Sequence, residues 1–131
     1  MIVKLRLEQT NLLEGRTEIL AEGKAILSGS TLTFAEKKPF EGKGRIEFSD
    51  EGLTLIHEGE TSSRTELHTG RKGTARVCSP FGDMAFETVL LAYEITPETV
   101  TAQYELWQEK TRIGHFRMRA EYDSLPVEFL S

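Results

Sequence analysis

The sequence predicts an all-β domain, a single closed antiparallel barrel of about 8–10 strands in mostly up-and-down order. Three observations carry this. Apolar and polar residues alternate with a period of two along most of the chain, which sends them to opposite faces of a strand. Gly, Pro, Asn or Asp breaks interrupt the alternation every ~8–12 residues, the spacing of strands joined by turns. No segment shows a well-supported helical period of 3.6. An open meander leaves two unpaired edges, and closure removes them. The short connections favour up-and-down order, because Greek-key crossovers need longer ones.

The first strand places Val3, Leu5 and Leu7 on one face and Lys4, Arg6 and Glu8 on the other, and Asn11 to Gly15 reads as a turn. Thr17 to Leu27 alternates next, with Ile19, Ala21, Gly23, Ala25 and Leu27 sharing a parity. Gly23 in its middle predicts a bulge or sharp bend. Leu32 and Phe34 form a short third strand that Lys37-Lys38-Pro39 ends, and Ile46 and Phe48 point inward from a fourth. Leu53, Leu55 and His57 share a face of the fifth, after the turn Asp50-Glu51-Gly52. Thr65, Leu67 and Thr69 share a face of the sixth, and Ala75 and Val77 of the seventh. Met84 to Ile95 is a long strand with apolar residues on both faces. One face is expected to pack on the core, with the other covered. Val100, Ala102, Tyr104 and Leu106 face inward from the next, and Phe116, Met118, Ala120 and Tyr122 from the last. The tail, Leu125 to Leu130, reads as a short edge strand or a loose end.

The 131 residues, read as one domain spanning 1–131, include 21 acidic and 16 basic side chains for a net charge of -5. Nucleic-acid binding requires clustered Lys and Arg to neutralise phosphates, and here they are scattered, so no nucleic-acid partner is expected. The apolar run Val89 to Tyr93 is far below the ~18 residues that span a bilayer, so no membrane association is expected. Charges break the N-terminal apolar residues at every second position, unlike an export signal, and a cytoplasmic location is predicted. One cysteine cannot form a disulfide within the chain.

The stretch Leu67-His68-Thr69-Gly70, followed by Ser79-Pro80-Phe81-Gly82-Asp83-Met84, resembles the YwiB-like family of small bacterial proteins. The resemblance extends loosely over the whole chain and is sharpest from Arg64 to Tyr122. It implies a domain of unknown function with a calycin-like, lipocalin-related β-barrel, and it brings no catalytic residue with it. Barrels of that class often carry a small, partly apolar ligand, which is an analogy of fold alone.

Sites were weighed on residue chemistry. Ser62, Ser63, Ser79 and Cys78 are potential nucleophiles, but none lies in a recognisable nucleophile elbow or Cys-Gly context. Cys78 reads as a small structural residue, with Arg76 on the same face as the feature favouring a reactive thiol. His57, His68 and His115 lack metal-ligand spacing, and no phosphate-cradling loop is present, since Gly42-Lys43-Gly44 fits no such motif. No catalytic residue, metal or cofactor is therefore expected, and the reading leans away from an enzyme. His57 stands out because its parity points it at the core. The reading is a binding module that takes a small, partly apolar ligand in or at the mouth of the barrel, with His57, Thr65, Thr69, Tyr104 and Tyr122 as lining. The alternative is a filled barrel, monomeric or homodimeric, that contacts partners through outward Trp107 and the outer face of Met84 to Ile95.

Overall fold

The computed structural model describes residues 1–36 and 41–124 of the chain. The expected break at Lys37-Lys38-Pro39 and the expected tail strand or loose end both lie outside the described residues. Among the described residues there are ten strands: β1 (Ile2–Asn11), β2 (Arg16–Ser28), β3 (Thr31–Glu36), β4 (Gly42–Ser49), β5 (Gly52–Glu58), β6 (Ser62–His68), β7 (Gly73–Ser79), β8 (Gly82–Ile95), β9 (Thr99–Gln108) and β10 (Thr111–Ser124). Each pairs antiparallel with its neighbour in sequence, and β1 pairs with β10 to close the barrel. The expected all-β, up-and-down barrel is thus the observed one. No helix is long and apolar enough to cross a membrane among the described residues.

Alternation builds the interior. Val3, Leu5 and Leu7 of β1 are buried, and they stand opposite Ala25, Gly23 and Ala21 of β2. Large side chains on one strand thus meet small ones on the next, which lets a narrow barrel fill without overlap. Leu32, Ile46, Leu53, Leu67, Val100, Ala102, Met118 and Ala120 continue this core around the ring. Charged side chains face outward in short-range pairs, such as Arg6 with Glu8 and Arg119 with Glu121.

Two expectations need correction. The irregularity in β2 falls at Leu20, where the register shifts between Leu7 and Glu8 of β1, and Gly23 stays in register opposite Leu5. The inserted residue flips the parity, so Leu20 packs on the core while Ile19 is 36% exposed. Gly23 has a φ of +132°, a conformation that favours glycine. The apolarity on both faces of β8 has a similar origin, because the register against β9 shifts between Leu90 and Ala92. Phe86, Thr88 and Leu90 point inward before the bulge and Tyr93 after it, while Leu91 is turned out and 49% exposed. The outer face at Leu91 is therefore not covered by other described residues, while Met84, which shares the inward parity of Phe86, is 53% exposed near the start of the strand.

The two ends of the barrel differ. At one end the Tyr93 hydroxyl reaches the carbonyl oxygens of Ser49 and Gly52 at 2.7 and 3.0 Å, crossing from β8 to the β4–β5 turn. Phe48 and Tyr122 pack there with ring centroids 6.4 Å apart. Among the described residues the shortest ladder is that between β2 and β3, three residue pairs joining Ile26–Ser28 to Thr31–Thr33.

Candidate functional site

A cavity of about 850 Å³ lies at the end of the barrel away from Tyr93 and Tyr122. Leu7, Leu20, Leu55, Val77, Tyr104 and Met118 give it apolar walls, and Gln9, Glu36, His57, Ser63 and Thr65 give it polar groups. Its volume lies within the ~300–1,000 Å³ of small-molecule sites.

The most strongly organised polar feature is the pair Glu36 and His57. Glu36 ends β3 and His57 lies on β5, with β4 between them. The two side chains meet across β4 because the middle strand presents glycine at both rungs. Gly44 faces Phe34 on one side and His57 on the other, and Gly42 faces Glu36. A Cβ at Gly44 would stand 2.2 Å from the Phe34 ring and 2.9 Å from Glu36 Oε1. A Cβ at Gly42 would stand 2.9 Å from His57 Cε1 and 2.3 Å from the Glu58 carbonyl oxygen. Any other residue at these positions would occupy the space of the pair.

His57 Nδ1 contacts Glu36 Oε2, with the side chains only 19% and 10% exposed. That nitrogen is buried and makes no regular hydrogen bond among the described residues, and the Glu36 carboxylate is the group set against it. Burial pushes the Glu36 carboxyl above its ordinary range, and the imidazole beside it pulls partly back. Tyr104 lies deeper, its ring 5.6 Å from that of Phe116. Burial raises its phenol, which therefore stays a neutral O–H.

Three of the five lining residues expected from the sequence, His57, Thr65 and Tyr104, come together at this cavity. Thr69 does not. β6 ends at His68, and Thr69 leaves the ladder with its N–H and Oγ1 both donating to the Glu51 carbonyl, at 2.9 and 3.1 Å. Tyr122 does face inward, but at the opposite end against Phe48. Trp107 is outward and half-buried, with its indole N–H 3.3 Å from Glu105 Oε1. The other histidines sit elsewhere, His68 beside Arg71 and His115 beside Gln103. No group of three residues able to hold a metal occurs among the described residues. Cys78 is exposed, outside any core.

Sequence reasoning missed Glu36 and Gln9 and did not place Ser63 in the cavity. The Gly42-Lys43-Gly44 step just beyond Glu36 was the available signal, because paired glycines one residue apart in a strand leave room on one face.

The family described as Domain of unknown function (DUF1934) matches residues 3–119. No curated protein matches the chain. The crystal structure of the ywiB protein from Bacillus subtilis superposes with a TM-score of 0.69 at 13% sequence identity. That alignment covers 95% of this chain and 92% of the other. The superposition concerns the fold, and together with the family match it bears out the resemblance seen in the sequence.

Proposed function

The chain belongs to the DUF1934 family, a domain of unknown function, and from that premise we propose that it is a cytoplasmic binding protein for a small, partly apolar molecule. One observation carries the reading: an open-mouthed cavity of about 850 Å³ whose walls are partly aliphatic and whose polar groups include a largely buried His57–Glu36 pair. Apolar walls provide affinity through surface removed from water, at roughly 25 cal/mol per Å². A few fixed polar groups provide orientation. His57, Thr65 and Tyr104 supply those groups on the rigid strands β5, β6 and β9.

The test is titration with cis-parinaric acid, alongside native mass spectrometry of the protein purified from the cells that make it. We expect saturable 1:1 binding and a co-purified apolar mass. Leu55→Trp, which fills the cavity, should weaken binding at least tenfold without lowering the melting temperature by more than a few degrees. Unaltered affinity in that variant would place any guest outside the cavity and defeat the reading.

A second reading, an interaction surface between two copies, is favoured by the bulges that turn Leu91 and Ile113 outward. They flank the strand that carries Trp107. Sedimentation equilibrium tests it: a dimer in the parent chain that dissociates in Trp107→Ala supports it, and a monomer at all concentrations opposes it.

A further inference from the structure

Glu36 has the parity of Leu32 and Phe34, which are buried on β3, so its carboxyl points into the barrel. It lines the cavity with its side chain only 10% exposed. Elsewhere acids lie on the outer surface beside an arginine, such as Glu47 beside Arg45 and Glu121 beside Arg119. Among the described residues no lysine or arginine pairs with Glu36, and the His57 imidazole is the one group set against it. A carboxylate taken out of water needs an opposite charge and hydrogen-bond donors to offset the loss. One imidazole without a regular hydrogen bond supplies little of either, and burial holds the carboxyl above its ordinary range for that reason. What the chain does not supply, a guest can. Glu36 Oε1 lies 2.9 Å from where a Gly44 Cβ would stand, so no side chain of β4 screens it from the lumen there.

We propose that the cavity selects a primary amine with an apolar tail, its ammonium head set against Glu36 at the mouth and its tail among Leu7, Leu20, Leu55, Val77 and Met118. This rests on the cavity being the place where an apolar guest binds. An ammonium carries three N–H donors and no acceptor. Glu36 takes one of them as a charged acceptor, and Gln9, Ser63 and Thr65, which line the same cavity, offer oxygen acceptors for the rest. Removal from water makes the attraction between the two charges stronger than it is at the surface. A carboxylate head meets the reverse situation. The imidazole is already turned to Glu36. Arg45, the one lysine or arginine among the described lining residues, has the outward parity of β4 and lies 3.5 Å from Glu47. Glu41 and Glu60 bring further negative charge to the lining. A fatty acid therefore enters by its chain alone and is held more weakly than the amine of the same length.

Isothermal titration calorimetry of the full chain at pH 7 compares decylamine, decanol and decanoic acid, which put a cationic, a neutral and an anionic head on one tail. We expect 1:1 binding, with decylamine at least ~tenfold tighter than decanol and tighter still than decanoic acid, as one close charge pair gives. Glu36→Gln keeps the shape of the side chain and removes its charge. In that variant decylamine should fall to within about threefold of decanol. Decanol itself should bind as it does to the parent, which also shows that the variant is folded. Decylamine that binds the parent no more tightly than decanol overturns the proposal, and decanol binding then leaves the binding protein standing. A preference for the amine that survives in Glu36→Gln, or amine uptake well beyond 1:1, places the cation on the outer carboxylates and overturns it too. Failure of all three compounds to bind removes the apolar-guest reading together with the proposal.

Discussion

Gly44→Ala tests whether the glycines of β4 exist to make room for the Glu36–His57 pair. The new Cβ would lie 2.2 and 2.6 Å from the Phe34 ring and 2.9 Å from Glu36 Oε1. Carbon atoms rest at ~3.5–4.0 Å, so the ring edge must retreat by about 1 Å or more. Phe34 is 6% exposed within the core cluster, and it has no open direction to take. Overpacking of this kind costs ~1–3 kcal/mol. Replacing a strand glycine by alanine recovers ~0.5–1 kcal/mol of chain entropy, which leaves a net loss of ~1–2 kcal/mol. For 131 residues the unfolding entropy is about 0.28 kcal/mol/K, so the melting temperature should drop by about 4–7 °C. Thermal melts of Gly44→Ala, Phe34→Leu and the double variant measure this. In the double variant the added methyl finds space, and the two changes should offset each other by ~1 kcal/mol. A Gly44→Ala protein that melts at or above the parent, or a cycle additive within ~0.3–0.5 kcal/mol, refutes the reasoning.

Glu36→Gln should also change how stability depends on pH. Because burial raises the folded carboxyl above its ordinary 4.5, the folded state binds more protons than the unfolded chain in the window just above that value. Stability of the parent therefore falls as pH rises through the window, and the variant should gain relative to the parent in melts from pH 4 to 7. Tyr93→Phe removes the hydroxyl that bridges Ser49 and Gly52 and should cost ~1–2 kcal/mol in denaturant titrations. The Tyr93 phenol is pushed up to about 12, mainly by burial. Folded protein therefore loses stability as pH rises from 10 toward 12, a decline that should be shallower in the variant. Thr88→Val strands the Glu66 carbonyl, which now accepts a 2.7 Å bond from a fully buried hydroxyl. Chemical denaturation should show a loss of ~1–3 kcal/mol.

Most of the fold was legible because period-two patterning reports which side of a strand faces the core, and every inward residue named for β9 and β10 lies inside. The failures share one physical cause. A bulge inserts a residue without leaving a mark in composition, so Leu20, and Tyr93 relative to Phe86 and Leu90, sit on the faces opposite to those their parity suggests. Thr69 failed because alternation does not say where a strand stops. Tyr122 failed differently: parity says inside, and it is silent about which end of the barrel. The Glu36–His57 contact was beyond reach, since it depends on two strands that are not neighbours and on a third that lacks side chains between them. Ser63 was visible only as a hydroxyl, and its place opposite His57 in the cavity wall became apparent only once β5 and β6 were set in register.

The three-rung seam between β2 and β3 gives the ring a preferred place to breathe. β1 is laddered along its length on both sides, whereas β2 from Arg16 to Ala25 has no ladder partner toward β3 among the described residues. Local opening follows the fewest bonds, so amide protons along β2 should exchange with solvent well before those of β1. Leu20 and Glu36 both line the cavity, one on each of the two strands that part there. Exchange at β2 ahead of β1 would mark this seam as the side of the cavity that opens first.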